Sequence, residues 1–318
     1  MVHRRRQRSP SQPEGTAGSS QPRPPMSALG RAPTKPAGSR QEPSAGDDQP
    51  SPWVCPACRV GLHGGRPLRC DAGHSFDVAR EGYVNLLLAH QRRSRRPGDS
   101  DEMVAARRRL LATGAYDPLT EAVARLVSAE EPGVVVDVGC GDGRHTRRLE
   151  APVVAGVDVS KRAIALAARA HRAGWYAVAS AADLPLGAAS VDVVVDVFGP
   201  VVAAEFVRVV RPGGAVVMAH PGPEHLAELR ALVYADAHAH EVKPPLRGVP
   251  EWFETVGSET LTFPVVVADR AVLADLFAMT PYRWHAPPAI AERLAEAPHP
   301  FTTAVDVVIT TYRRRVRP

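Results

Sequence analysis

The segments VVVDVGCGDG (residues 134–143) and VVAGVDV (residues 153–159) set the architecture of this 318-residue chain. Each begins with an apolar run of strand length that is rich in β-branched valine, which strands favour. Three further runs of this kind lie at residues 175–179, 191–198 and 215–219. Strands that are nearly all apolar and alternate with helices are typical of a parallel sheet covered on both faces. The sequence therefore predicts an α/β fold.

Helical patterns fill the gaps between and before these strands. Asp99, Ser100 or Asp101 is placed to cap a first helix that Gly114 ends, and Pro118 suits the first turn of a second. Further helices are predicted at residues 144–149, at 161–173 and in the stretch that ends near Val210. A late strand is predicted at 302–312 from its valine and threonine content, whereas residues 238–300 show no clear pattern.

The first 52 residues differ in composition from the rest of the chain. They are mostly Pro, Ser, Gly, Gln, Arg and Ala, so they cannot bury enough apolar surface to offset the entropy of ordering, and we expect disorder. Met26 is an alternative start. No apolar segment resembles a secretion signal or a membrane span, and the few cysteines suit a reducing compartment, so a cytoplasmic protein without membrane contact is expected.

Positive charge is concentrated at the front of the molecule. Residues 1–52 and residues 53–100 each hold 8 basic and 4 acidic side chains, whereas residues 101–318 hold 23 basic and 26 acidic ones. The densest cluster is Arg92, Arg93, Arg95 and Arg96, which we predict to bind RNA phosphates. The alternatives are a solvated linker and an arginine bias inherited from a GC-rich genome.

Three of the four cysteines and one histidine form a metal-ligand pattern: Cys55, Cys58, Cys70 and His74. Two ligand pairs on tight turns, separated by a short excursion, are how a chain surrounds a tetrahedral structural zinc ion. His63 is a rival fourth ligand, and three unrelated buried cysteines are the alternative to a metal site. Because a unit this small folds as it binds its metal, loss of zinc is expected to unfold it.

The loop after the first valine run carries glycines 139, 141 and 143, which allow a sharp turn and a close approach of the backbone to a ligand. A dinucleotide fingerprint needs glycine at position 144, where this chain has Arg144. The loop is instead similar to that of class I S-adenosylmethionine (AdoMet) methyltransferases, which implies cofactor contacts at Asp137 and the three glycines. By the same likeness, Asp158 meets the ribose hydroxyls and Asp183 the adenine amine. A degenerate domain of this fold without activity is the alternative.

The whole pattern resembles one family more closely. Beside the zinc ligands stands the phrase Arg80-Glu-Gly-Tyr-Val-Asn-Leu-Leu87, followed by Arg93-Ser-Arg-Arg-Pro-Gly-Asp-Ser100, Gly114-Ala-Tyr-Asp-Pro-Leu119 and Pro221-Gly-Pro-Glu-His-Leu226. Over residues 53–315 the chain is similar to the 23S ribosomal RNA (guanine-N1)-methyltransferases, which include macrolide (tylosin-type) resistance enzymes of antibiotic producers.

This resemblance implies a fold, a reaction and partners. It implies a zinc-binding, RNA-recognition module with a basic connector (53–100) and a class I, Rossmann-like methyltransferase domain (101–318), whereas the expected disordered extension (1–52) lies outside the family pattern. The implied reaction is AdoMet-dependent methylation of N1 of a guanine in a 23S rRNA stem-loop by a homodimer with one zinc ion per chain. Further cofactor contacts carried over from the family fall on Tyr116, Gly143, Arg144 and His225, although Arg144 replaces an aromatic residue common there.

Guanine N1 carries a proton at neutral pH, so its methylation requires a base. Asp196, in the segment Asp196-Val-Phe-Gly-Pro200, lies at the end of the fourth strand and is the candidate. A solvated or helix-capping carboxylate is the alternative for Asp196, and Phe198 is either a stacking surface for the target base or part of the core. Two other functions stay open: a small-molecule methyltransferase with a structural zinc module, and a non-catalytic zinc-dependent RNA-binding factor.

Overall fold

The computed structural model describes residues 51–91, 99–234, 239 and 244–316, in which ten strands and seven α-helices form. The strands are β1 (Leu68–Arg69), β2 (Ser75–Phe76), β3 (Tyr83–Asn85), β4 (Val134–Val138), β5 (Val153–Asp158), β6 (Trp175–Val178), β7 (Val191–Val197), β8 (Val210–Pro221), β9 (Phe253–Val267) and β10 (Phe301–Arg314). The helices are α1 (Asp101–Ala112), α2 (Asp117–Ser128), α3 (Lys161–Ala170), α4 (Ala203–Val209), α5 (Ala227–Val233), α6 (Arg270–Ala278) and α7 (Ile290–Glu296).

Eight of these strands form one sheet in the order β3-β6-β5-β4-β7-β8-β10-β9. The pairs from β3 to β8 are parallel, and β10 is antiparallel to both of its neighbours. Successive strands run outward from β4 in one direction to β6 and then in the other through β7 and β8. Sheets of this doubly wound kind bind ligands beyond the carboxyl ends of their strands where the order reverses, here between β4 and β7. The α/β fold predicted from the valine runs is confirmed.

The sheet is apolar on both faces because helices cover both. Val135, Val193 and Val217 pack into one core cluster, and Val136, Val194 and Val216 pack into another on the opposite face. All six side chains are fully buried. Alternation between two buried faces explains why these strands read as continuous valine runs and show no polar period.

Helix α1 begins where its capping residues predicted. The Ser100 hydroxyl accepts a hydrogen bond from the Met103 backbone N–H, which satisfies one donor of the first turn. Pro118 lies in the first turn of α2, where its missing N–H costs nothing.

Two regions differ from the sequence-based expectation. The helix predicted at 144–149 is only a single 3-10 turn, Thr146–Arg148, because nine residues between Gly143 and Val153 leave no room for a longer helix and the return to β5. The irregular region 238–300 contains β9, α6 and α7. Strand β9 escaped prediction because it lies at the sheet edge, where most of its side chains are exposed and no apolar period develops.

The cysteine-bearing segment 51–91 lies against the edge of the main sheet. It contains the β1–β2 hairpin, and it then contributes β3, which pairs with β6. Trp53 is 1% exposed and packs in the same core cluster as Val136. In the described residues no helix is long and apolar enough to cross a membrane. The predicted disordered extension, apart from Ser51 and Pro52, and the predicted RNA-binding arginines Arg92, Arg93, Arg95 and Arg96 lie outside the described residues.

Candidate active site and zinc centre

The structure brings Cys55, Cys58, Cys70 and His74 into one cluster. One ligand atom from each lies within 4.8 Å of all the others. The Cys58 and Cys70 sulfurs are 3.6 Å apart, and His74 Nδ1 lies 3.5 Å from Cys55 Sγ and 3.4 Å from Cys70 Sγ. Tetrahedral zinc bonds of about 2.3 Å to sulfur and about 2.0 Å to nitrogen give ligand separations of roughly 3.5–3.8 Å, so the donor set fits a zinc ion.

The rival ligand His63 lies outside this cluster. Its Nε2 is 2.8 Å from the Asp71 carboxylate, and both side chains are exposed. All four cysteines are free thiols, so no disulfide competes for the cluster. With three sulfurs and one nitrogen, the coordination sphere is closed to water, which is typical of structural zinc and not of catalytic zinc.

Apart from the zinc cluster, the structure has a second candidate site, and the glycine loop after β4 forms its floor. Gly139, Gly141 and Gly143 have φ angles of 77°, 56° and 77°, in the left-handed region that disfavours side chains. A Cβ at Gly139 would lie 3.0 Å from Pro200, and one at Gly143 would lie 2.9 Å from the Cβ of Ala167. A Cβ at Gly141 would meet nothing within 4 Å, because this part of the backbone faces open space.

That open space is a cavity of about 370 Å³ beyond the carboxyl ends of β4, β7 and β8. It is large enough for a small-molecule ligand, and it lies where the strand order reverses. Its walls come from α1 and the turn after it, the loop after β4, the end of β7, the end of β8 with the turn that follows it, Pro245 and the segment after α6. The lining includes Tyr116, Gly139, Gly141, Arg144, Asp196, Phe198, His220, His225 and Thr280.

Two predicted cofactor carboxylates lie behind the glycine loop. Asp137 is buried, and its carboxylate accepts a hydrogen bond of 2.6 Å from the Thr146 hydroxyl. Burial raises the pKa of Asp137 to about 7, and the nearby charge of Asp196 adds to the rise. Asp158 accepts hydrogen bonds from the backbone N–H groups of Gly141 (3.0 Å) and Ser160 (2.7 Å). Burial also raises the pKa of Asp158.

Asp183, the predicted adenine ligand, contacts the cysteine-bearing segment. Its two carboxylate oxygens pair with the Arg59 guanidinium and with the Gln91 side-chain amide. Arg59 also donates to the Leu184 carbonyl at 3.0 Å. Asp183 therefore ties the loop after β6 to the zinc module, and it is absent from the cavity lining.

Three of the four family-derived contacts line the cavity, Tyr116, Arg144 and His225, whereas Gly143 is absent from the lining. Tyr116 is 3% exposed, and its hydroxyl has no hydrogen-bond partner among the described residues. The Arg144 guanidinium pairs with Asp117 at the start of α2. His225 Nδ1 lies 2.9 Å from the Asp306 carbonyl oxygen. A buried hydroxyl without a partner at a cavity wall is a group that a polar ligand would satisfy.

Asp196 and Phe198 occupy the end of β7. Asp196 is 2% exposed; its Oδ1 accepts from the Gly199 N–H at 2.8 Å, and its Oδ2 has no partner in the described structure. Burial raises the pKa of Asp196 to about 7. Phe198 has a φ of 54°, is 42% exposed and has its ring centroid 5.3 Å from that of His225. Strained backbone and an exposed aromatic ring beside an underbonded carboxylate are typical of a functional site.

Sequence reasoning missed three polar residues of this cavity. Arg107 pairs with Asp99 and donates to the Met279 carbonyl at 3.3 Å. His145 Nδ1 lies 2.9 Å from the Thr120 hydroxyl, and burial lowers its pKa to about 4. His220 stands at the end of β8. Only His145 had a local signal, its place next to the glycine loop.

The cavity fits AdoMet. The bare backbone at Gly141 provides a close approach, the unpaired Tyr116 hydroxyl a polar contact, and the volume suits a ligand of this size. When bound, AdoMet would supply a sulfonium-activated methyl group. Gly139, Gly141 and Tyr116 would hold it, and Asp196 and Phe198 line the same cavity.

Comparison with known proteins agrees with this arrangement. Residues 53–95 match the zinc-ribbon family described as "RlmA, N-terminal", and residues 136–218 match the family described as "Methyltransferase domain". The first range contains the whole Cys₃His cluster, and the second begins in β4 and ends in β8.

This chain matches three curated relatives over nearly the whole length of each relative. A Streptomyces fradiae protein named 23S rRNA (guanine(748)-N(1))-methyltransferase is 39% identical, with 81% of this chain and 95% of the relative covered. A Micromonospora griseorubida protein, provisionally named 23S rRNA (guanine-N(1)-)-methyltransferase, is 38% identical over 81% of this chain and 96% of its own. YxjB of Bacillus subtilis, provisionally given the same name, is 31% identical with the same two coverages. The chain therefore belongs to the family of zinc-containing, AdoMet-dependent 23S rRNA (guanine-N1)-methyltransferases.

Proposed function

We propose that this protein transfers a methyl group from AdoMet to N1 of a guanine in a stem-loop of 23S rRNA. The observation that carries the proposal is the 39% identity to the guanine-748 enzyme of Streptomyces fradiae over 95% of that protein. The cavity supports it, because a cofactor loop and an underbonded carboxylate meet in one space.

N1 lies on the Watson–Crick edge of guanine and carries a proton. The base must therefore be unpaired or leave its pair, and a loop guanine lowers the cost of extrusion. Asp196 takes the proton through Oδ2, the oxygen without a partner. Phe198, exposed on a strained backbone at the cavity wall, stacks on the extruded base. The side chains mainly align N1 with the methyl group and remove one proton.

The two parts of the chain divide the work. Zinc held by Cys55, Cys58, Cys70 and His74 shapes a module that, with the basic connector up to residue 100, places the RNA. Residues 101–318 hold AdoMet and carry out the transfer, with Asp137, Asp158 and Asp183 shaping the cofactor site. Arg92, Arg93, Arg95 and Arg96 contact phosphates. We further propose a cytoplasmic homodimer, with macrolide resistance as one biological consequence.

Primer extension on 23S rRNA tests the proposal directly. A methyl group on N1 blocks base pairing, so reverse transcriptase stops one nucleotide before the modified guanine. RNA from cells that express the protein should show a new stop that is absent without the gene and absent when Asp196 is replaced by asparagine. Full read-through with active, AdoMet-binding protein present would reject the proposal, and transfer of label to a small molecule instead would identify a different substrate class.

A further inference from the structure

Besides Tyr116 and Asp196, the cavity contains a third underbonded polar side chain, His220. Nδ1 of His220 is buried and has no hydrogen-bond partner, and no described residue bonds to its Nε2. The imidazole lines the cavity together with Asp196 and Phe198. Buried polar groups are nearly always paired in folded proteins, so three unpaired groups in one cavity indicate that a ligand satisfies them.

Strand register places His220 beside Asp196. Asp196 of β7 pairs in parallel with Met218 of β8, so these two side chains lie on the same face of the sheet. His220 lies two residues beyond Met218 on the same strand and therefore projects from that face as well. The strand spacing and rise put the Cα atoms of Asp196 and His220 about 8 Å apart. Both side chains therefore project from one face of the sheet into the same cavity, where one ligand can meet both.

The surroundings keep His220 neutral. Burial lowers its pKa, and the residues next to it in the strand are Ala219 and Pro221. A neutral imidazole carries one N–H donor and one acceptor nitrogen. It can therefore donate to a carbonyl oxygen without leaving a positive charge in the cavity.

We propose that His220 recognises the target guanine by donating its N–H to O6 while Asp196 engages N1. The inference rests on the proposed function and adds to it a substrate contact. As the N1 proton passes to Asp196, the electron pair of N1 forms the new bond to the methyl carbon, and the bond from that carbon to sulfur breaks with its electrons left on sulfur. The negative charge that develops on N1 as its proton leaves spreads onto O6, so the His220 hydrogen bond strengthens in the transition state.

The pair also discriminates between purines. Adenine has an amino group where guanine has O6, and its unprotonated N1 would face a carboxylate. Two donors, the adenine amino group and the His220 N–H, would then meet at position 6. Two acceptors, adenine N1 and the Asp196 carboxylate, would meet at position 1. A site built to hydrogen-bond both groups rejects the analogue that cannot pair with them.

Three variants and one modified RNA test the contact. His220→Phe removes both nitrogens, whereas His220→Asn keeps an N–H near the position of Nδ1. We expect kcat for an RNA stem-loop with the mapped target guanine to fall by about 100-fold in His220→Phe and by less than about tenfold in His220→Asn. His171→Phe is the matched control: His171 is also partly buried, but it bonds to Tyr176 outside the cavity lining, and its kcat should not change.

The readouts separate contact from folding. The affinity of each variant for AdoMet, measured by calorimetry, should stay within about twofold of wild type. Replacing the target guanine by 6-thioguanine weakens the hydrogen-bond acceptor at position 6. This change should lower kcat of the wild type and lower kcat of His220→Phe much less. Wild-type kcat in His220→Phe, or an equal thioguanine penalty in both proteins, would overturn the inference. Failure of the wild type to methylate the unmodified RNA would instead reject the proposed function.

Discussion

Asp196 combines burial, one hydrogen bond from the Gly199 N–H and one oxygen without a partner. Burial disfavours the charged carboxylate and raises its pKa to about 7. A general base is most effective when its pKa lies near the working pH, because enough of it is deprotonated and it still binds a proton well. The same burial that makes Asp196 costly to the fold therefore suits it to proton transfer.

This pKa predicts a pH dependence with a definite sign. Only deprotonated Asp196 accepts the N1 proton, so log kcat should rise by about one per pH unit below pH 7 and level off above it. Asp196→Asn should lower kcat at least tenfold at pH 8 and abolish the rise of log kcat with pH. Its affinity for AdoMet should stay the same as that of the wild type. Single-turnover transfer of labelled methyl at pH 5.5–8.5 measures this.

Asp192→Asn is the control, because Asp192 lies on the same strand but pairs with Arg211, away from the cavity. Its profile should match that of the wild type. If Asp196→Asn showed the same dependence of log kcat on pH as the wild type, Asp196 would not be the base.

The loop after β6 is the element whose structure departs most from its expected role. Asp183 was predicted to meet the adenine amine, and in the structure its oxygens pair with Arg59 and Gln91. A carboxylate has spare lone pairs, so both contacts are compatible. In the structure, the loop connects the zinc module with the end of β6.

Two substitutions distinguish these roles of Asp183. If Asp183 holds adenine, Asp183→Asn should raise the Kd for AdoMet by about tenfold through loss of a charge-assisted hydrogen bond. Arg59→Gln removes only the link to the zinc module and should leave that Kd within about twofold. Calorimetric titration of both variants measures this, and equal effects in the two would mean that Asp183 acts on the cofactor only through the zinc module.

At the scale of the molecule, the zinc module and the methyltransferase core share one sheet through β3 and one core cluster through Trp53. The glycine loop, in contrast, is held by β4, β5 and their neighbours. Metal loss should therefore disrupt RNA placement more than cofactor binding.

Substitution at a zinc ligand tests this division. Cys58→Ala should reduce zinc from one equivalent to near zero and lower RNA methylation at least about 100-fold, because the module folds around its metal. AdoMet affinity should change less than about fivefold. Cys140→Ser, a change to a cysteine outside the cluster, should keep its zinc. Full zinc content in Cys58→Ala, by atomic absorption, would contradict the assignment of Cys58 as a ligand.

The basic connector makes a separate prediction about salt. Each phosphate neutralised on a single strand contributes about 0.7 to the slope of log affinity against log salt. Changing Arg92, Arg93, Arg95 and Arg96 to glutamine should therefore flatten the slope by about 3 and weaken RNA binding at low salt. Filter binding between 50 and 300 mM KCl measures both, and an unchanged slope would leave the connector as a solvated linker.

Much of this protein can be read from local sequence. The valine run at residues 134–138 defines β4 to the residue, because continuous β-branched residues form a strand buried on both faces. The Cys₃His cluster follows from ligand spacing, since its members lie within twenty residues of one another. Ser100 was among the predicted caps because capping depends on neighbours three residues away.

Other features arise only when distant segments meet. His220 carries no local signal, and it becomes a candidate because the carboxyl ends of strands from different parts of the chain converge on one cavity. The contact between Asp183 and Arg59 depends on the zinc module packing beside β6. Periodicity and spacing report the environment of nearby backbone, whereas burial of a single carboxylate or imidazole depends on everything packed around it. The strands, the glycine loop and the metal ligands could therefore be predicted from the sequence alone. The unpaired polar atoms of the cavity could be identified only from the tertiary structure.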